Sequence, residues 1–204
     1  QVLSHEFRTP VSSMLLLQEQ LQSKLSHLDF NEQDLFTRLS TEIYRLQRII
    51  EVSKTYLQVE GRKIQFKPIE ITSVNEWMND FIFESGFKIE YEPLEKDHSL
   101  VTDPFWLKFV LSNLVQNAFD HGAEPVKIKI SIASGKTQIT VQDHGVCEFD
   151  SFKKMRDSFV KSPQSKGMGL GLNISSFIVT ELGGEISFKN SPTSFTLCLS
   201  EGKA

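Results

Sequence analysis

The chain has 204 residues, 39% hydrophobic and 24% charged, and carries a net charge of −4. That length fits one large or two small soluble domains, and the acidic balance leaves nucleic acid out of the expected partners. No apolar run approaches the roughly 20 residues that span a bilayer, no signal-peptide pattern is present, and the two cysteines build no disulfide framework, so a cytoplasmic setting without membrane contact is expected.

Residues 1–28 read as one amphipathic helix. Leu3, Phe7, Pro10, Met14, Leu17, Leu21 and Leu28 keep the a/d spacing of helices that pack in bundles. Pro10 predicts a kink inside it. The polar run Ser26 to Asn31 reads as a turn. Residues 32–60 carry a second seam through Leu35, Leu39, Ile43, Leu46, Ile50, Ser53 and Leu57. The two helices make an antiparallel hairpin, and pairing with a second copy through residues 1–60 buries both seams in a four-helix bundle. The first seam already runs at Leu3, so the chain is expected to be a fragment of a longer one, whose other parts can include a membrane anchor.

From Ile64 the period changes. Ile64–Lys67 and Lys88–Glu92 alternate like strands, with a helix expected over Val74–Phe83 between them. Asp103–Phe119 reads as a strong helix with Pro104 in its first turn. Val126–Ile132 and Gln138–Val141 alternate around Ser134-Gly135-Lys136, a hairpin. Residues 146–166 read as polar, lysine-rich and irregular. Leu172–Leu182 reads as a helix stopped by Gly183-Gly184, and Glu185–Lys189 with Ser194–Leu199 forms a second hairpin. The fold class is therefore α+β: a helical domain at 1–62, then an α/β sandwich at 63–204.

Four clusters carry chemistry. At heptad position f, His5 faces away from the seam, with Glu6 beside it and Thr9 one turn on. An exposed imidazole with a neighbouring carboxylate is a nucleophile with its base, or a solvated surface pair. Asn113 and Asn117 share a helix face, and their carbonyls are hard oxygen ligands of the kind Mg²⁺ takes, or a polar stripe. Asp143, at a strand end before Gly145, can accept from an exocyclic amine, or can simply close an Asp-x-Gly turn. Gly167, Gly169 and Gly171 let backbone N–H groups approach phosphates ahead of a helix N-terminus, or form a flexible loop.

In order and spacing, His5-Glu6-x-x-Thr9-Pro10, Asn113-x-x-x-Asn117-Ala118, Asp143-x-Gly145 and Gly167-x-Gly169-Leu170-Gly171-Leu172 resemble the bacterial sensor histidine kinases over nearly the whole chain. The second domain resembles the Bergerat ATP-binding fold that these kinases share with DNA gyrase and MutL. The resemblance implies ATP and Mg²⁺ as cofactors. It makes His5 the phosphoacceptor, Glu6 an aid to its deprotonation, and Thr9 a residue for dephosphorylating a response-regulator receiver domain. It places Asn117 on Mg²⁺ with Asn113 nearby, and Asp143 on the adenine amine. Residues 146–166 become an ATP lid, with Lys161 reaching the γ-phosphate. Gly145, Gly167, Gly169, Leu170, Gly171 and Leu172 line the nucleotide. Two positions depart from the pattern. Asp120 stands where the family often has a base that meets phosphate, leaving His121 or a lid lysine to compensate. Cys147 stands for a glycine. The implied activity is autophosphorylation of His5 from Mg²⁺-ATP and transfer to a regulator aspartate. A decayed kinase acting as phosphatase or docking scaffold is the alternative, and a gyrase-like ATPase the third.

Overall fold

The computed structural model describes residues 14, 16, 17, 30–61, 63–147, 151–156 and 170–200. The chain divides into two compact units, 1–63 and 64–204. In the first, one long helix runs over Phe30–Glu60 (α1), and Met14, Leu16 and Leu17 are helical. The helix takes in Phe30 and Asn31, which the sequence assigns to the turn. Within α1, Ile43 is buried whereas Leu39, Leu46 and Leu57 of the expected seam stay about half exposed. The rest of the expected hairpin falls outside the described residues.

The second unit contains strand Ile69–Ile71 (β1), helix Val74–Ser85 (α2), strands Ile89–Glu92 (β2) and Leu100–Thr102 (β3), and helix Pro104–His121 (α3). Strands Val126–Ala133 (β4) and Lys136–Gln142 (β5), helices Phe152–Arg156 (α4) and Gly171–Glu181 (α5), and strands Gly184–Asn190 (β6) and Thr193–Ser200 (β7) follow. Five strands form a mixed sheet in the order β2-β4-β5-β7-β6. Among the described strands only β2 and β4 run parallel, and β1 pairs with β3 in a separate antiparallel ribbon.

Period-2 alternation sorts the sheet into two faces. Ile128, Ile130, Ile139, Val141, Phe195, Leu197 and Leu199 point inward and are buried. On the outer face the register aligns Thr140 with Thr196, their hydroxyls 2.9 Å apart, and the Gln138 amide donates to Cys198 Sγ at 3.4 Å. Glu92 of β2 pairs with Lys127 at 2.7 Å and with Lys129, and the two ammonium groups hold its carboxyl down at about 2. The β4–β5 hairpin turns on Ser134 (φ 54°) and Gly135 (φ 71°), the two positive φ values of a tight two-residue turn whose twist suits the strands.

Helix α3 is placed by its cap and its apolar stripe. Asp103 Oδ1 accepts the N–H groups of Phe105 (3.0 Å) and Trp106 (3.2 Å), and Pro104 occupies the first turn, where its missing N–H costs nothing. Leu107, Val110, Leu111, Leu114, Val115 and Ala118 are buried against α5 and the sheet. The other Asp103 oxygen accepts the Lys67 N–H at 2.7 Å, and the Trp106 indole donates to Gln65 C=O at 3.2 Å. This explains the first failure of the sequence reading. Ile64–Lys67 alternates like a strand, but side chains of α3 take its backbone groups, and pairing begins only at Ile69. The short α4 lies inside the segment expected to be irregular, and β3 gave no signal at three residues. Removing the cap and the tether together, Asp103→Ala should lower the urea unfolding free energy by about 2 kcal/mol, with Asp103→Asn recovering most of it.

Candidate functional site

Strand β5 delivers Asp143 into a turn fixed from two sides. The Asp143 N–H bonds Thr193 C=O at 2.9 Å, at the start of β7. The His144 N–H bonds Ala123 C=O at 2.9 Å, just beyond α3. The carboxylate is 3% exposed. Its Oδ1 accepts the Gly145 N–H at 2.7 Å, and the Ala123 N–H also donates to the group. Burial pushes the Asp143 carboxyl above the usual aspartate range, with those two N–H groups and His144 opposing the rise.

Glycine is required on both sides of this carboxylate by space. A Cβ on Gly122 would run into the Asp143 carboxyl, and one on Gly145 would stand 2.6 Å from Gly122 Cα. Thr193 closes the turn, its hydroxyl donating to Gly145 C=O at 2.9 Å. Beyond it, Asn190 Nδ2 donates to Cys147 C=O at 3.2 Å, and the Cys147 thiol, half-buried, donates to Met155 Sδ of α4 at 3.6 Å.

The asparagine pair lies on α3, one turn apart. Asn113 is 7% exposed and its Nδ2 donates to Ser175 Oγ of α5 at 3.0 Å. Gly171 sits one turn before Ser175, and a Cβ there would collide with Asn113 Oδ1. Asn117 is half-buried, while Asp120 and His121 are exposed in the last turn. Asp120 accepts from Gln116 Nε2 at 2.9 Å, so the carboxylate is tied along its own helix. Leu170 is buried and Leu172 half-buried at the start of α5, whose first turn has no side-chain cap. Its leading N–H groups are therefore donors without an intrahelical partner.

The structure thus brings Asn113 against Gly171, and Asp143 against Gly145, with the end of α3 abutting the Asp143 turn through Gly122. His5, Glu6, Thr9, Lys161, Gly167 and Gly169 lie outside the described residues. Sequence reading missed Gly122, Thr193 and Ser175. Gly122 follows the last residue of a helix, a readable stop signal, and Ser175 stands one turn after Gly171. Thr193 has no local signal, because its role exists only where β7 begins beside the end of β5. Among the described residues no group of three or more His, Cys, Asp or Glu gathers to hold a metal. No described helix is long and apolar enough to cross a membrane. An open cleft of about 300 Å³ between α2 and the start of α3, lined by Trp77, Phe81 and Phe105, holds none of the expected site residues.

Residues 102–203 match the family of histidine kinase-, DNA gyrase B- and HSP90-like ATPases. The chain belongs to that family. It is 31% identical, over 97% of its length, to the sensor histidine kinase VxrA of Vibrio cholerae, and covers 38% of that protein. It is 25% identical, over 93% of its length, to the histidine-protein kinase AfsQ2 of Streptomyces coelicolor, again covering 38%. Its fold is similar to that of the Acinetobacter baumannii histidine kinase AdeS (TM-score 0.64, 20% identity, 98% of each chain). It is also similar to full-length ShkA solved in complex with AMPPNP (TM-score 0.71, 21% identity, all of this chain and 45% of that one). Within the ATPase family the chain is a sensor histidine kinase catalytic core, and it spans about two fifths of the length of these curated relatives.

The raised carboxyl of Asp143 has a consequence for stability. Between the unfolded and folded pKa values the native state holds the extra proton, so the group's contribution falls as pH rises through the folded value. Asp143→Asn removes that burden. Its melting temperature should exceed that of the parent at pH 7, and the advantage should vanish below about pH 4, where both states are protonated in the parent. A variant less stable at pH 7 would mean that the carboxylate's backbone bonds outweigh its burial.

Proposed function

We propose that the chain binds Mg²⁺-ATP in its second unit, phosphorylates His5, and passes the phosphoryl group to an aspartate of a response-regulator receiver domain. The observation that carries this reading is Asp143: a buried carboxylate held by backbone N–H groups and walled by two glycines. Such a group suits a donor of the adenine-amine type, since a base lacking that donor leaves the carboxylate unpaired.

The remaining residues take roles along α3 and α5. Carbonyl oxygens of Asn117 and Asn113 suit a hard cation that keeps waters and phosphates as its other ligands. When bound, Mg²⁺ supplies charge neutralisation on the phosphates. The uncapped start of α5, with Leu170, Gly171 and Leu172, offers N–H groups to phosphate oxygens, joined by Gly167 and Gly169. Lys161 supplies positive charge there, or His121 an N–H donor, in place of the basic side chain that Asp120 replaces. A ring nitrogen of His5 attacks the γ-phosphorus while Glu6 accepts the ring proton. A P–N bond forms, the bond from phosphorus to the bridging oxygen breaks, and ADP leaves. An aspartate oxygen of the regulator then attacks the same phosphorus and the P–N bond breaks. Thr9 orients the water that later hydrolyses the aspartyl phosphate. Catalysis of this kind rests on positioning and electrostatics. Half-exposed Leu39, Leu46 and Leu57 on α1 support a homodimer through residues 1–60, in which a second copy covers them.

Incubation with γ-labelled Mg²⁺-ATP, with His5→Ala alongside, tests the activity. Acid-labile label that needs His5 and Mg²⁺ is the expected result. ATP turnover that survives in His5→Ala would replace the reading with a stand-alone ATPase. Asp120 and Cys147 favour one second reading, a phosphatase or docking scaffold without kinase activity, which predicts no label on an intact dimer. For the pocket itself, Asp143→Asn should weaken ATP binding about tenfold by calorimetry.

Cys147 provides a probe of the same pocket. It stands three residues beyond the Asp143-His144 pair, and its alkylation by a thiol reagent should slow when ATP is present. Cys198, on the outer sheet face, should react at the same rate with and without ATP. Equal rates at both cysteines, read by peptide mass spectrometry, would place Cys147 away from the nucleotide.

A further inference from the structure

Strand β6 ends the five-stranded sheet, with β7 on one side and no strand on the other among the described residues. An edge of this kind presents a row of backbone N–H and C=O groups ready to pair with another strand. The register with β7 sorts its side chains. Ile186 and Phe188 lie opposite Leu197 and Phe195 and take the inner face, where both are half-buried. Glu185, Ser187 and Lys189 take the outer face and are exposed. Neither Glu185 nor Lys189 has an ion-pair partner among the described residues.

About Ser187 the strand is self-complementary. A second copy laid antiparallel along this edge, with Ser187 opposite Ser187, sets Ile186 against Phe188 on the inner face and Glu185 against Lys189 on the outer face. Each apolar side chain meets an apolar one, and each charge meets its opposite, twice over, as a two-fold axis requires. A slip of one residue turns inner side chains against outer ones. Centring the pair on Ile186 or Phe188 instead leaves both charges without a partner. A lysine on a sheet edge ordinarily guards it against another strand, but here the approaching copy brings a glutamate to that lysine. The opposite edge of the sheet gives the contrast. The outer face of β2 carries only Glu90 and Glu92, and Glu92 is already held by Lys127 and Lys129. Laid against its own copy, β2 would set carboxylate beside carboxylate.

We propose that β6 is a docking edge for a second copy of this chain, the two strands pairing antiparallel about Ser187 with a Glu185–Lys189 ion pair on either side of the axis. The pairing joins the two sheets into one continuous sheet. A strand of seven residues makes a small contact, so the pairing is transient and is read by trapping it. It uses the second unit alone, and it depends neither on the nucleotide reading nor on the pairing through residues 1–60.

The test has two readouts on the full chain. A zero-length carbodiimide joins a carboxylate to an amine only where the two touch. Within one chain Glu185 and Lys189 are four residues apart on an extended strand, about 13 Å, so an amide between them forms only between copies. Peptide mass spectrometry should find that Glu185–Lys189 link, and its absence would overturn the proposal. The second readout measures the contribution of the charges. Ser187→Cys puts a thiol of each copy beside the two-fold axis, and mild oxidation should link position 187 of one copy to position 187 of the other. Adding Lys189→Glu sets like charges opposite each other and should lower the yield of that link about fivefold. Adding Glu185→Lys as well restores an acid opposite each base and should return the yield to that of Ser187→Cys alone. All three positions are exposed, so none of these variants disturbs the core. A yield unchanged by Lys189→Glu, or not recovered by the double reversal, would overturn the self-pairing and leave β6 a guarded edge.

Discussion

Helix α3 is buried along most of its length, and the elements of the site are placed by that burial. Val110, Leu111, Leu114 and Val115 have no exposed surface, so the helix has one rotational setting about its axis. That setting turns Asn113 to α5, brings Asn117 up one turn later, and ends the helix with Gly122 against Asp143. At its other end the same helix receives the incoming chain through Asp103 and Trp106. A polar residue on such a helix must find a partner or be costly, and Asn113 finds Ser175. Packing, capping and site geometry thus share one element.

The site combines two kinds of constraint. At Asp143 the constraint is dielectric: a carboxyl is kept from water, and burial pushes its pKa above the usual aspartate range. At Asn113 the constraint is steric and directional, since Gly171 leaves no room for a Cβ beside the amide and Ser175 accepts from its nitrogen. Asp120 obeys neither. It is exposed, and its bond to Gln116 is a local helical pair of the kind worth a few tenths of a kcal/mol. A surface position of that sort can change charge with little disturbance of the buried side of α3.

The legibility of this fold in its sequence follows from how local each signal is. The hairpin at 134–135, the helix start marked by Pro104 and the helix stop at 183 are read within a few residues, and those elements stand where expected. Ile64–Lys67 has the strand period, yet its backbone bonds go to a side chain and an indole carried by α3, some forty residues away. No window along the sequence contains that competition. The same holds for Thr193, whose neighbours Asp143 and Gly145 lie across the sheet. Asn113, Asn117 and Asp143 were legible as residue types, but the bond from Asn113 to α5 was not. Its acceptor is Ser175, placed by the packing of α5. His5 and the lysine-rich segment rest on motif spacing alone.

The tether between residues 65–67 and α3 also has a mechanical meaning. The chain leaving Gly61 meets α3 before it meets any strand of the five-stranded sheet. Tension or torque delivered along the backbone passes into the helix that carries both asparagines, in series with them. Asp143 follows the strand β5 on which α3 packs, and its turn meets the far end of α3 through Gly122 and Ala123. A pull on the chain would therefore reach the asparagines along α3 before it reached the Asp143 turn at the helix's far end. Strain carried along the backbone would thus be felt in sequence by the two asparagines and then by the carboxylate.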